Sequence, residues 1–139
     1  HPDGQRCYLV GELDGTVTAY ELTADGSLHR RTRVEASGRS GHVQPSEVAV
    51  RPDGRFLYVA NRGVGTLAVF ELRGDRPELV GEVDTGGEWP RHFALLGEHL
   101  YVADERAHMV RGFSVDRSTG LLEAVGEPLS VPSPTCVLP

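Results

Sequence analysis

The chain has 139 residues, of which 39% are hydrophobic, so it can bury a core but has room for only one ordinary domain or part of one. Its 20 acidic residues outnumber its 14 basic residues, and the net charge of -6 argues against a nucleic-acid partner or an anionic membrane surface. No apolar run approaches the roughly 20 residues that a membrane-spanning helix needs. Cys7 and Cys136 lack metal-ligand spacing, which predicts no metal site and favours a reducing cytoplasm.

An internal repeat dominates the chain. Each copy begins with a tyrosine, has an aliphatic residue nine positions later and has an aromatic residue twelve positions later. Three ungapped copies are present: Tyr8–Leu22, Tyr58–Leu72 and Tyr101–Val115. A second set of anchors, Pro45, Pro90 and Pro134, recurs at spacings of 45 and 44 residues. A period of this length, with about four short strands in each unit, is typical of β-propeller blades.

We therefore predict an all-β fold of blades with four antiparallel strands each. In chain order, residues 1–44 are a partial blade, 45–89 and 90–133 are blades, and 134–139 are the first strand of another. In the middle blade the strands are predicted at Glu47–Arg51, Phe56–Ala60, Thr66–Leu72 and Glu78–Val83. The continuously apolar second strand is expected to be buried on both faces. Turn-forming residues such as Gly74–Pro77 are expected to join third and fourth strands.

The chain lacks a starting Met and any polar tail, so we expect it to be a piece of a larger protein. Closed propellers usually need at least four blades. The piece alone is therefore predicted to have exposed sheet edges and to aggregate.

Blade geometry predicts where a functional site lies. The loop that enters a first strand opens on the same face as the loop between second and third strands. This face is expected to gather Glu47, Arg91 and His92 at the channel mouth. Around them we expect four further charged residues: Glu12, Arg62, Glu105 and Arg106. The repeated tyrosines are interpreted as packing residues.

These residue types are suited to opening a lactone ring. A carboxylate can take a proton from water, and a guanidinium can bind an anion or stabilise an oxyanion. We predict Glu47 and Arg91 as catalytic residues and Arg62 and His92 as substrate-binding residues. The scheme requires no metal and no cofactor.

Three stretches resemble the lactonase family of seven-bladed propellers, and the likeness covers nearly the whole chain. These are Pro52–Gly63 with the preceding Ser46–Val48, Gly86–Phe93, and Asp116–Leu121. The resemblance implies about three blades of seven, from the C-terminal portion, and hydrolysis of 6-phosphogluconolactone to 6-phosphogluconate. The partner would be a small anionic lactone. It also implies a catalytic histidine upstream of these residues, and an asparagine before Glu12 where this chain has Gly11.

Two other functions remain open at this point. The propeller could bind a ligand or serve as a scaffold without turnover, because a fold does not determine a function. It could also catalyse the cyclisation of an unsaturated dicarboxylate, as in the carboxy-muconate branch that the chain resembles. A calcium-dependent gluconolactonase is disfavoured, since no clustered oxygen ligands are seen in the sequence.

Overall fold

The computed structural model describes residues 1–74 and 76–139 and folds them into three antiparallel sheets. This arrangement confirms the prediction of an all-β fold that is part of a β-propeller, with blades of antiparallel strands. The described residues contain no helix, and hence none that is long and apolar enough to cross a membrane.

The strands follow one another within each sheet in chain order. The first sheet contains β1 (Arg6–Gly11), β2 (Thr16–Leu22) and β3 (Leu28–Glu35). The second contains β4 (Val43–Val50), β5 (Phe56–Gly63), β6 (Thr66–Arg73) and β7 (Arg76–Asp84). The third contains β8 (Pro90–Leu96), β9 (His99–Asp104), β10 (Met109–Val115) and β11 (Leu122–Ser130). Strands β4 and β8 contact each other, and β7 contacts β3 and β11, so the sheets stack face to face.

Two of the predicted strand starts in the middle blade differ from the structure, and the predicted ends differ by one to three residues. Strand β4 begins at Val43 rather than Glu47, because a β-bulge lets the strand continue past Pro45. Strand β7 begins at Arg76 rather than Glu78. The corner predicted at Gly74–Pro77 includes Asp75, which lies outside the described residues.

Residues 134–139, predicted as the first strand of another blade, form no strand. A strand needs a partner backbone, and the described residues after β11 supply none. Two histidine side chains hold this segment instead. The Nδ1 atom of His108 accepts a hydrogen bond from the backbone N–H of Ser133 at 3.0 Å, and that of His92 accepts one from Val137 at 3.4 Å.

The hydrophobic core consists of two layers between neighbouring sheets. Phe56 and Tyr58 of β5 pack toward the third sheet, whereas Leu57 and Val59 pack toward the first. All four side chains are buried, which confirms the expectation that this strand is covered on both faces. Alternation along one strand thus joins three sheets into one body.

Tyr58 connects two sheets through its hydroxyl group. The hydroxyl donates a hydrogen bond to the carbonyl oxygen of Gly120 at 3.0 Å. Burial raises the pKa of Tyr58 to about 12, although the nearby Arg51 acts in the opposite direction. Tyr58 therefore has a packing role, as predicted for the repeated tyrosines.

Candidate active site

Two β-bulges at equivalent repeat positions shape the ends of β4 and β8. In β4, Pro45 is opposite Asn61 and Glu47 is opposite Ala60, so Ser46 is the extra residue. Successive residues of β5 point to opposite faces of the sheet, and the bulge therefore turns Glu47 to the face opposite Pro45. Glu47 lies on the same face as Ala60, which packs in the layer toward the third sheet.

The equivalent bulge in β8 places Arg91 as the extra residue and His92 directly after it. The hydroxyl of Ser46 donates a hydrogen bond to the carbonyl oxygen of Pro90 at 2.6 Å. This bond joins the two bulges across neighbouring sheets. The bulges therefore bring the residues that follow them, one acidic and one imidazole, to the same location.

Glu47 and His92 contact each other directly. The Nε2 atom of His92 lies 3.3 Å from a carboxylate oxygen of Glu47. Because Nδ1 accepts the N–H of Val137, the proton of the neutral imidazole is on Nε2, the nitrogen that faces Glu47. The two side chains are 29% and 27% exposed, so water can reach the carboxylate.

Arg91 forms an ion pair with Glu105, in which its Nη1 atom lies 3.1 Å from a carboxylate oxygen. The side chain of Arg91 is 47% exposed. A guanidinium carries five N–H donors, so one such contact leaves others for a ligand. Arg91 can therefore still bind an anion while Glu105 holds it in place.

Arg62 is more enclosed than Arg91. Its Nη2 atom lies 2.9 Å from a carboxylate oxygen of Glu12, and the side chain is only 11% exposed. Within the described part of the chain, its Nε atom has no hydrogen-bond partner. Arg62 thus joins the first sheet to the second, and its direct contact with a substrate stays a prediction.

Trp89 lies close to two arginines, Arg62 of β5 and Arg106 of the loop after β9. The guanidinium carbon of Arg106 is 3.3 Å from the centre of the indole ring, and that of Arg62 is 5.4 Å away. The backbone N–H of Trp89 is bound by the carboxylate of Asp104, and its carbonyl oxygen accepts the N–H of Glu105 at 3.1 Å. Both backbone groups of Trp89 are therefore fixed by the last residue of β9 and the residue that follows it.

Sequence reasoning missed the role of Asp104. It is fully buried, and its carboxylate accepts hydrogen bonds from the backbone N–H groups of Trp89 and Ala107. Asn61, the equivalent residue in the previous repeat, is also buried and donates to the carbonyl oxygen of Ala36. A polar residue at the end of a continuously apolar strand was the signal that could have identified both.

Gly11 occupies this repeat position in the first sheet, and the structure explains the substitution. A Cβ atom on Gly11 would lie 2.0 Å from a carboxylate oxygen of Asp14. Asp14 in turn accepts a hydrogen bond from Thr16 and forms an ion pair with Arg33. A carboxylate from the loop therefore fills the space that a side chain occupies in the other two sheets.

The structure brings the predicted residues together as three contacting pairs. Glu47 pairs with His92, Arg91 pairs with Glu105, and Arg62 pairs with Glu12. Among residues 1–74 and 76–139, neither arginine forms an ion pair with Glu47. The same part of the chain contains no group of three or more His, Cys, Asp or Glu side chains placed to hold a metal ion.

Comparison with known proteins agrees with this architecture. The model of one protein family, described as Lactonase, 7-bladed beta-propeller, matches residues 1–139. This chain belongs to the lactonase family of seven-bladed β-propellers. Each of the three sheets of this chain is therefore a blade, or part of a blade, of a propeller of this family.

Individual relatives agree with the family match. The chain is 35% identical to the 6-phosphogluconolactonase of Bacillus subtilis, over 99% of its own length and 41% of that protein. A solved structure from Lactobacillus plantarum superimposes with a TM-score of 0.92 at 28% identity, over 97% of this chain and 41% of that one. The periplasmic gluconolactonase of Pseudomonas aeruginosa superimposes with a TM-score of 0.89 at 28% identity, over 96% of this chain and 39% of that protein. The chain therefore spans about two fifths of the length of these relatives.

Proposed function

We propose that the protein containing this chain hydrolyses a sugar lactone, with 6-phosphogluconolactone as the substrate. The proposal is based on the contact between Glu47 and His92, together with Arg91, which directly precedes His92 in β8. The Bacillus subtilis relative, named as a 6-phosphogluconolactonase, supports the choice of substrate.

The proposed reaction begins with attack of water on the carbonyl carbon of the lactone. Glu47 removes a proton from this water, while the Nε2–H group of His92 orients the carboxylate. Free N–H donors of Arg91 stabilise the oxyanion that forms on the carbonyl oxygen. The bond between that carbon and the ring oxygen then breaks, and the proton on Glu47 passes to the ring oxygen.

The role of Glu47 can be tested in the full-length protein by the substitution Glu47→Gln. We expect kcat for 6-phosphogluconolactone to fall by about a hundredfold or more, because the amide cannot accept the proton of water. KM is expected to change little, since the amide keeps the shape of the side chain. The measurement is the rate of lactone loss above the spontaneous rate.

Glu123→Gln is the matched control. Glu123 is exposed on the outer strand β11, so the same chemical change there should leave kcat unchanged. Undiminished hydrolysis by the Glu47→Gln protein would contradict the assignment. Saturable binding of the lactone without turnover by the wild-type protein would instead identify a binding propeller.

The cellular location is part of the same proposal. The described cysteines Cys7 and Cys136 are both free thiols, which is compatible with the cytoplasm predicted above. One structural relative is named as a periplasmic gluconolactonase, so this fold also occurs outside the cytoplasm. Fractionation of cells that express the full-length protein would test the prediction.

A further inference from the structure

Arg106 differs from the other two arginines of the candidate site. Arg62 and Arg91 each form an ion pair with a glutamate, whereas Arg106 forms none with any residue that the structure describes. Its side chain is exposed and lies against the face of Trp89 at 3.3 Å. When a planar guanidinium stacks on an aromatic ring, its N–H groups point outward in a plane parallel to the ring, where they can bind an anion.

The stacking platform of Arg106 is rigid. The buried carboxylate of Asp104, at the end of β9, accepts the backbone N–H of Trp89, and the N–H of Glu105 binds its carbonyl oxygen. The preceding carbonyl, that of Glu88, accepts the N–H of Gly63 from the neighbouring sheet at 2.8 Å. An arginine held on a fixed ring loses less conformational entropy when a ligand binds.

Arg106 is not one of the residues that the three repeat copies share. The equivalent positions in the other two copies are Leu13 and Gly63, neither of which carries a charge. The blade architecture therefore does not require a cation here. An exposed arginine that stacks on Trp89, and that has no ion-pair partner among the described residues, is suited to the recognition of an anion.

We propose that Arg106, stacked on Trp89, binds the phosphate group of a phosphorylated sugar lactone and thereby sets the preference for phosphorylated substrates. Planar N–H pairs of arginine match two oxygens of a phosphate group. This inference rests on the proposed lactonase function and adds a residue that determines specificity. Glu47 and Arg91 act on the ring ester, and Arg106 acts on the opposite end of the substrate.

The test compares two substrates in the full-length protein and in its Arg106→Gln variant. We expect kcat/KM for 6-phosphogluconolactone to fall by about ten- to a hundredfold, as for loss of a hydrogen-bonded charge. The value for unphosphorylated gluconolactone should change by less than about twofold. Arg106→Lys, which keeps the charge, should recover part of the loss. Arg30→Gln is the control, because Arg30 is an exposed arginine on the outer strand β3.

A ratio of the two kcat/KM values that stays within about twofold of wild type in Arg106→Gln would overturn the inference while leaving lactone hydrolysis intact. Calorimetric titration with 6-phosphogluconate and with gluconate tests the phosphate site independently of the proposed reaction. If the wild-type protein hydrolyses neither lactone but binds 6-phosphogluconate more tightly than gluconate, and loses this preference in Arg106→Gln, the phosphate site stands and the proposed reaction fails. Equal affinity of the wild-type protein for both acids would overturn the phosphate site.

Discussion

Aspartates in the turns are held in their charged form by local hydrogen bonds. The Ser118 hydroxyl lowers the pKa of the Asp116 carboxyl, as the Arg51 guanidinium does for Asp53. The pKa of Asp25 is lowered as well, chiefly by the hydroxyl of Thr23. Hydrogen bonds to a carboxylate favour the charged form, and each of these side chains therefore titrates below its ordinary value of 3.8.

These shifts predict a loss of stability in acid. A lowered pKa in the folded state contributes stability above the unfolded-state pKa, and this contribution disappears as the pH falls through the lower value. We expect the free energy of unfolding to decrease progressively below about pH 4. Denaturant melts between pH 5 and pH 2 would measure the slope. The variant Asp25→Asn, Asp53→Asn, Asp116→Asn should show a shallower slope, whereas an identical slope would contradict the assignment.

At the level of single elements, the loop after β5 is fastened to the linker that leads into β8. Thr85 donates both its backbone N–H, at 2.9 Å, and its hydroxyl, at 3.1 Å, to the carbonyl oxygen of Gly65. Gly65 has a φ of +67°, and a Cβ atom there would lie 2.1 Å from the carbonyl oxygen of Gly87. Only glycine fits this close approach of two backbones.

Gly65→Ala should therefore destabilise the protein by about 2 kcal/mol or more, through backbone strain and displacement of the linker. Gly97→Ala is the matched control, since Gly97 has a similar φ of +61° but no atom within 4 Å of its Cβ position. The control should show only the smaller cost of the positive φ, about 1 kcal/mol. Chemical denaturation of the two variants measures the difference. Equal destabilisation would show that the contact with Gly87 contributes nothing.

The sequence predicted elements whose signal is periodic and missed those that depend on contacts between sheets. The apolar run around Tyr58 predicted a strand buried on both faces, and the structure has it. The bulges at Ser46 and Arg91 were not predicted, because one extra residue in a strand leaves the composition unchanged. The residue types of the site could be named from the repeat. Their pairing could not, because whether Glu12 or Glu105 reaches Arg62 depends on how neighbouring sheets are packed.

On the scale of the whole molecule, the three sheets are joined by two hydrophobic layers but leave a strand edge without a partner. Strand β1 pairs only with β2 in the described chain, so no strand lies along its other edge. Leu9, in the middle of β1, is half exposed. An open edge of this kind can pair with a strand of another molecule.

We therefore expect residues 1–139, produced alone, to self-associate at micromolar concentration. Sedimentation velocity should show species larger than a monomer, and Leu9→Lys should reduce their amount because a charge on the edge disfavours pairing. Lysine at the exposed Leu13, in the loop between β1 and β2, provides the control, because this residue lies on no strand edge. A monomer that melts cooperatively would show that the edge is protected.

We infer that the two ends of the proposed substrate bind to different parts of one site. A crystal structure of the full-length protein with 6-phosphogluconate tests it most directly. We expect the carboxylate of this product beside Glu47, His92 and Arg91, with the phosphate group bound by Arg106 on the ring of Trp89. Occupancy of another part of the propeller, with these residues unoccupied, would contradict it.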